Sequence, residues 1–144
     1  MPEKETLERA KKDKREGKAP STQAGEFVRE EIEHIREGKH GARSTKQAIA
    51  IGLSKARRAG VELPPSEGSS EETKEQAKRD LRKAKSGKKV SAKRSRATRK
   101  ALKKEGHSAA SKEALSTQAR KAARKRSAAS RSRSAKKAAR TRKK

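Results

Sequence analysis

The stretch that decides the fold is residues 20–65, PSTQAGEFVREEIEHIREGKHGARSTKQAIAIGLSKARRAGVELPP. Its first half repeats apolar residues at helical spacing, as in Val28, Ile32 and Ile35, which predicts a helix with one buried face. Gly38 follows this pattern and supplies the left-handed residue that commonly ends helices. A second apolar pattern follows after a short turn. We therefore predict a helical hairpin across residues 20–65.

The ends of the two predicted helices carry recognisable capping residues. We expect the first helix to begin at a Ser21 or Thr22 cap. The second begins at Ser44, where Gln47 completes an S-x-x-Q capping box. Gly60 and the two prolines after it close the second helix. These signals fix the hairpin more firmly than any other part of the chain.

Composition limits how much of the remaining chain can fold. Only 27% of the 144 residues are hydrophobic, 43% are charged, and Phe27 is the single aromatic residue. Such a chain buries too little apolar surface to offset the entropy of ordering most of its length. We expect an all-α protein with a small helical hairpin, isolated helices and a long, basic, largely disordered C-terminal tail.

Four segments of different character divide the chain. Residues 1–19 predict a charged N-terminal helix or disordered arm with little to bury, and residues 20–65 the hairpin domain. Residues 66–87 predict a helix with a Ser69 or Ser70 cap; it could lie against the hairpin, but its Pro-Pro and Gly-Ser flanks favour a spacer. Residues 88–144 form a tail rich in Lys, Arg, Ala and Ser.

The net charge of +26 lies almost entirely in the C-terminal part of the chain. Residues 81–144 hold 26 basic residues against Glu105 and Glu113 alone, which gives +24. A solvated tail is the ordinary explanation of a charge run, but this excess favours a polyanion as partner. The predicted nucleic-acid-binding residues are Lys88, Lys89, Lys93, Arg94, Arg96, Arg99, Lys100, Lys103, Lys104, Arg120, Lys121, Arg124, Lys125, Arg126, Arg131, Arg133, Lys136, Lys137, Arg140 and Arg142.

A smaller basic group lies on the second half of the hairpin. It forms the predicted secondary basic patch of Lys39, Arg43, Lys46, Lys55, Arg57 and Arg58. A helix-turn-helix reader of DNA would use such a patch, although that motif normally needs a third bracing helix. The simpler explanation is that these charges solvate the hairpin and satisfy its helix ends.

The absence of aromatic platforms bears on which polyanion is bound. With no Trp or Tyr, the chain lacks surfaces on which unpaired bases stack, so we expect sequence-independent phosphate contacts to duplex DNA, and DNA compaction. RNA or a ribosome stays an alternative, as does a protein adaptor acting through the hairpin. No bulky apolar face is available for membrane insertion. Exposed Ile and Val on a two-helix unit make self-association through residues 20–65 a further expectation.

Catalysis and cofactor binding find little support in the sequence. The chain has no cysteine, and His34, His40 and His107 are not paired at i, i+4. His34 and His40 lie on either side of a turn with Glu31, Glu33 and Glu37 nearby, so metal ligation there is an alternative. The ordinary interpretation is solvated histidines at a helix end, and we expect no metal, no cofactor and no enzyme activity. The opening MPEKETLERAKKDKREGK has no apolar segment, so we expect the protein in the cytoplasm, at a bacterial nucleoid.

The block STQAGEFVREEIEHIREGKHGARSTKQAIAIGLSKARRAGVELPP resembles the signature of a small, uncharacterised bacterial family of basic proteins with a domain of unknown function. The later run RSRATRKALKKEGHSAASKEALSTQARKAARKR is similar to the second half of that family. The resemblance implies a small basic bacterial protein without catalytic residues. In composition alone, the tail resembles linker-histone tails and bacterial histone-like proteins.

Overall fold

Seven α-helices and one 3-10 helix follow one another in the computed structural model, which describes residues 2–66 and 68–143. No strand occurs in these ranges, which confirms the all-α prediction there. The helices are α1 Lys4–Arg15, α2 Pro20–Arg36, α3 Thr45–Arg58, α4 Glu71–Ser86, α5 Ala92–Lys103, α6 Lys112–Lys125 and α7 Ala128–Arg142, with the 3-10 helix Ser108–Ala110 before α6.

The hairpin formed by α2 and α3 is the centre of the fold. Gly38 ends α2 with a φ of 76°, and the Ser44 Oγ accepts the Gln47 backbone N–H at 3.1 Å at the start of α3. The two helices approach so closely that a Cβ on Gly52 would lie 2.6 Å from the Val28 Cα. Glycine is therefore required at this crossing.

The start of α2 differs from the prediction. The helix begins at Pro20 rather than after a Ser21 or Thr22 cap, and its N-cap residue Ala19 makes no side-chain hydrogen bond. Proline suits the first helical position, because its missing N–H would have no partner within the helix and its fixed φ is already helical. The proline signal was present in the sequence and outweighs the hydroxyls that follow it.

One apolar cluster joins α1 to the hairpin. Ala10 of α1 is buried with Phe27 of α2 and Ala56 of α3, and Leu7 packs against them. The Arg9 Nε also donates to the Glu26 Oε2 at 2.7 Å. This burial differs from the prediction that residues 1–19 have little to bury. Leu7 and Ala10, one helical turn apart, are enough to join α1 to the cluster, because α2 and α3 supply most of its other members.

A second apolar cluster, here called the corner cluster, lies at the turn end of the hairpin. It consists of Ile32, Ile35, Ala42, Ala48, Ala109 and Ala110, with Val28 and Leu115 packed against it. Ile35 and Ala110 are almost wholly buried. The 3-10 helix and the first turn of α6 thus cover Ile32 and Ile35, while self-association through residues 20–65 stays a prediction.

Backbone hydrogen bonds fasten this covering segment to the turn of the hairpin. Gly41 N–H donates to the Leu102 carbonyl at 2.9 Å, and Ala42 N–H donates to the Gly106 carbonyl at 3.0 Å. A Cβ on Gly41 would lie only 2.1 Å from the Glu105 carbonyl oxygen. Glycine at position 41 is therefore required by this close approach of the two backbones.

Two side chains complete the attachment. The Arg36 Nε donates to the Ala110 carbonyl at 2.9 Å, and the Thr45 Oγ1 donates to the Ala109 carbonyl at 2.6 Å. Residues 102–110 therefore belong to the folded unit of the hairpin. They were assigned to the tail because their sequence, rich in Lys, Ser and Ala, resembles the residues around them.

The helix α4 lies against α3, whereas the sequence analysis favoured a spacer. Ala77 and Asp80 of α4 are buried, and the Arg58 Nε donates to the Asp80 Oδ1 at 3.0 Å. The predicted ends of α4 do form, because the Ser70 Oγ accepts the Thr73 N–H at 3.2 Å and Gly87 has a φ of 63°. The link before it is hinge-like in sequence, but the burial of Ala77 and the Arg58–Asp80 ion pair both join α4 to the rest of the fold.

The expectation of a long, largely disordered tail is not supported, because α5, α6 and α7 occupy most of it. Serine caps explain part of the difference. The Ser111 Oγ accepts the Ala114 N–H and the Ser127 Oγ accepts the Ser130 N–H, each at 3.1 Å. Alanine, lysine and arginine are strong helix formers, and their propensity outweighs the repulsion between like charges here. No helix in the described ranges is long and apolar enough to cross a membrane.

Candidate nucleic-acid interface

Charge is balanced locally in the first part of the chain. Every side-chain ion pair found in residues 2–66 and 68–143 lies between Glu3 and Asp80. Several of these pairs involve buried carboxylates, such as Asp80 and Glu31. The acidic residues of this region therefore neutralise its own cations, and little positive charge is left for another molecule.

The predicted nucleic-acid-binding residues have a different environment. All twenty are exposed, and none forms an ion pair within the part of the chain that the structure describes. Lys88 and Lys89 precede α5, Lys104 follows it, and Arg126 stands between α6 and α7. The others lie on the three helices themselves. The structure thus collects the predicted residues on α5, α6, α7 and their flanking residues.

Helical spacing places several of these cations on common faces. In α7, Arg133, Lys136, Lys137 and Arg140 are related as i, i+3, i+4 and i+7 and share one face. The helix has 15 residues and is therefore about 22 Å long. Neither α5 nor α7 buries a side chain, so their whole circumference is open to a partner.

The helix α6 divides its two halves between packing and charge. Leu115 near its start packs against the corner cluster. Apart from Lys112 at its start, its basic residues are in the second half, beyond that contact, and they are Arg120, Lys121, Arg124 and Lys125. The packed half therefore fixes the direction in which the charged half leaves the folded unit.

Arg126 is the one predicted residue with its side chain engaged within the chain. Its guanidinium donates to the Ser130 carbonyl at 3.0 Å, to the Ser130 Oγ and to the Ser134 Oγ. These bonds leave its charge unneutralised, because their acceptors are neutral. They lie across the first turns of α7 and support the start of that helix.

The secondary basic patch does not form a common exposed surface. Lys39 pairs with Glu37 at 3.1 Å, and this carboxylate raises the pKa of Lys39. Lys55 pairs with the buried Glu31. Arg58 pairs with Asp80, and the buried Arg57 donates from its Nε to the Leu63 carbonyl. Arg43 and Lys46 are exposed. We leave these six residues out of the interface because most of them are engaged within the fold.

Two of the three histidines are not solvated, contrary to expectation. The side chains of His34 and His40 are 14% and 13% exposed, whereas His107 is exposed. Both approach the carboxylate of Glu31, which is 1% exposed. The sequence places Glu31 near the two histidines but does not predict its burial, because glutamate on a charged helix is normally exposed. Its spacing of i, i+3 from His34, just before a glycine turn that carries His40, was the available signal.

Residues 4–67 match the model of a family described as Family of unknown function (DUF6496). This confirms the resemblance to an uncharacterised family for that part of the chain, which spans α1, α2 and α3. The likeness of the tail to histone-like proteins stays a prediction. No match was found among curated proteins or among solved structures.

Proposed function

We propose that this chain binds duplex DNA without sequence preference, through phosphate contacts from the exposed Lys and Arg residues of α5, α6 and α7. The observation that supports the proposal is the separation of charge. Residues 1–80 hold 18 basic and 16 acidic residues, and half of the basic ones are in ion pairs. The twenty predicted binding residues from Lys88 to Arg142 are exposed and form no ion pair within the described residues. A surface of this kind releases condensed counterions when it meets a polyanion.

The side chains available on these helices favour phosphates over bases. Arg and Lys predominate and no aromatic residue is present in the tail, so no stacking platform for bases is offered. Duplex DNA presents a regular, dense row of phosphates along a rigid axis, which a helix such as α7 can follow. The proposed function is binding, with no catalytic step.

Compaction follows from the arrangement of three charged helices with breaks between them. Breaks at 104–111 and 126–127 separate α5, α6 and α7. One chain can therefore contact more than one duplex segment. For the same reason we propose the bacterial nucleoid as the place where the protein acts.

The test is a charge-neutralising variant of α7 with a matched control on α1. The α7 variant carries Arg133→Gln, Lys136→Gln, Lys137→Gln and Arg140→Gln. The control carries Lys4→Gln, Lys11→Gln, Lys14→Gln and Arg15→Gln, which removes the same charge from exposed sites of another helix. Glutamine is nearly as good a helix former as lysine or arginine, so helix content is retained.

The measurement is affinity for two unrelated duplexes and for a structured RNA across a salt series. Each phosphate contact contributes about 0.9 to the slope of log K against log salt. We therefore expect the magnitude of the slope to decrease by about 3 to 4 for the α7 variant and to stay nearly unchanged for the control. Equal loss from both variants would contradict the placement of the interface. Tighter binding to RNA than to DNA at every salt concentration would assign the function to RNA. Weak binding to both, with little dependence on salt, would favour a protein partner instead.

A further inference from the structure

The three residues Glu31, His34 and His40 form a cluster that the proposed DNA binding does not use. One ligand atom from each lies within 4.8 Å of the other two. The His40 Nε2 is 3.1 Å from the Glu31 Oε2, and the His34 Nδ1 is 4.0 Å from the Glu31 Oε1. Glu31 and His34 share one face of α2, and the turn at Gly38 returns the chain so that His40 meets them.

Each imidazole has one nitrogen that faces Glu31 and one that faces another acceptor. The hydrogen bond to that other acceptor determines which nitrogen carries the proton. The His40 Nδ1 lies 2.9 Å from the Gly41 carbonyl, which can only accept, so Nδ1 carries the proton. The His34 Nε2 lies 3.0 Å from the Glu3 Oε1 and donates to it in the same way. In the neutral rings, the His40 Nε2 and His34 Nδ1 are therefore acceptors that face Glu31.

The buried carboxylate oxygen has no donor to balance these lone pairs. The Glu31 Oε2 is buried without a hydrogen-bond partner in the described residues, and the Glu31 Oε1 is held by Lys55 Nζ. A buried polar atom of this kind is costly unless a donor or cation reaches it. A proton on His40 would satisfy one contact only, since the His34 Nδ1 would still face the same carboxylate as an acceptor.

We propose that Glu31, His34 and His40 bind a divalent transition-metal ion of the zinc type. Two imidazole nitrogens and one carboxylate oxygen are a common protein donor set for Zn²⁺, with the fourth position left to water. Ligand atoms around one tetrahedral Zn²⁺ lie about 3.3 Å apart at ordinary bond lengths, close to the spacing of His40 Nε2 and Glu31 Oε2. The set has no carbonyl-rich cage of the kind that Ca²⁺ takes.

The partners of the outer imidazole nitrogens fit the same assignment. Histidines that bind metal usually donate their other N–H to a carboxylate or a backbone carbonyl, which fixes the ring and raises its basicity. Glu3 plays the first role for His34 and the Gly41 carbonyl the second for His40.

The surrounding charges admit an added cation. Glu3, Glu30 and Glu31 surround the site, and the Glu30 Oε1 lies 3.9 Å from the His34 Nε2 and is itself buried without a partner. The cations that face the cluster are Lys55, on the Glu31 Oε1, and Lys39, 3.5 Å from the Glu3 Oε1. With neutral histidines, three carboxylates therefore face two ammonium groups, and the excess is negative.

The test is titration of the untagged full chain with Zn²⁺ by calorimetry near pH 7, and with Co²⁺, whose visible absorption reports the number and geometry of its ligands. We expect one ion per chain and a higher melting temperature with Zn²⁺. His34→Ala and His40→Ala should each weaken Zn²⁺ binding by more than about 100-fold, and Glu3→Gln by roughly tenfold or more, since loss of an outer partner costs 10- to 100-fold. His107→Ala is the matched control and should bind as the unmodified chain does.

Several outcomes would overturn the proposal. They are no saturable binding of Zn²⁺ to the unmodified chain, unchanged affinity in both histidine variants, or an equal loss in His107→Ala. A Co²⁺ spectrum that stays that of the hydrated octahedral ion would do the same, and this result does not depend on a variant that fails to fold. Helix content of each variant without metal, measured by circular dichroism, separates lost ligation from lost structure.

Discussion

Single residues decide how closely the central helices approach. A Cβ on Gly52 would meet the Val28 Cα at 2.6 Å and its Cγ2 at 2.9 Å, so Gly52→Ala should lower the free energy of unfolding by about 1–3 kcal/mol. Gly25→Ala in α2 is the control, because nothing lies within 4 Å of its added Cβ. It should raise stability by about 0.5–1 kcal/mol through helix propensity. Urea unfolding followed by circular dichroism measures both, and a Gly52 variant as stable as the Gly25 variant would contradict the close crossing.

Lys18 gives a residue-scale prediction on pH. Its ammonium lies 2.7 Å from Asp13 and 2.9 Å from Glu16; the carboxylates raise the pKa of Lys18, and Lys18 lowers the pKa of Glu16. The stabilisation from Lys18 is therefore present across neutral pH. The part that comes from Glu16 is lost as pH falls through its lowered pKa. Lys18→Met should have a lower melting temperature than the unmodified chain at pH 7, and the gap should narrow below about pH 4.

The comparison variant for this experiment is Lys14→Met. Lys14 is exposed and forms no ion pair in the residues that the structure describes. It should leave the melting temperature nearly unchanged at every pH. A gap for Lys18→Met that is as large in acid as at neutral pH would show that the ammonium acts through something other than these carboxylates.

At the scale of elements, the helices differ in how much packing supports them. In α2 and α3 several side chains are buried, whereas α5 and α7 bury none and carry like charges three and four residues apart. We expect amide hydrogen exchange in α7 to be faster than in α2 by roughly a thousandfold or more, since α2 opens only with the whole fold. Adding duplex DNA should slow exchange in α5 and α7 and leave α2 unchanged. Equal protection of α2 and α7 without DNA would contradict this division.

Elements with local signals could be predicted from sequence, and long-range contacts could not. Glycines at positive φ and serine caps announced the ends of α3 and α4, because those contacts lie within three or four residues. The docking of the 3-10 helix depends on contacts 64 and 74 residues apart, from Thr45 to Ala109 and from Arg36 to Ala110. Alanines in a run of Ser, Lys and Ala carry no mark of burial, so nothing local distinguishes Ala110 from its neighbours.

The candidate sites follow the same division. The exposure of all twenty predicted binding residues could be expected from the sequence, because Lys and Arg in a segment with few apolar residues are normally exposed. The proximity of Glu31 to His34 and His40 could also be expected from their positions around the turn at Gly38, but the burial of Glu31 could not, because glutamate on a charged helix is normally exposed. The sequence also gave no sign that Lys55 would be committed to that carboxylate.

For the whole molecule, the position of a truncation should decide whether the fold survives. Residues 1–126 keep the corner cluster and the whole of α6, so this form should unfold with nearly the stability of the full chain. Residues 1–87 lack Ala109, Ala110 and Leu115, which exposes Ile32 and Ile35 and should cost about 2–4 kcal/mol. The shorter form should also self-associate, which light scattering after size exclusion measures. A monomeric 1–87 fragment of full stability would show that the cover is dispensable.

The attachment of residues 102–110 to the hairpin turn also sets an order of events during synthesis. Arg36 and Ala110 are separated by 74 positions, so a ribosome adding 5–20 residues per second needs roughly 4 to 15 s between them. Throughout that interval the nascent chain displays Ile32 and Ile35 without their cover. The corner cluster therefore forms late in translation, and a chaperone that recognises apolar segments can bind the chain before it does.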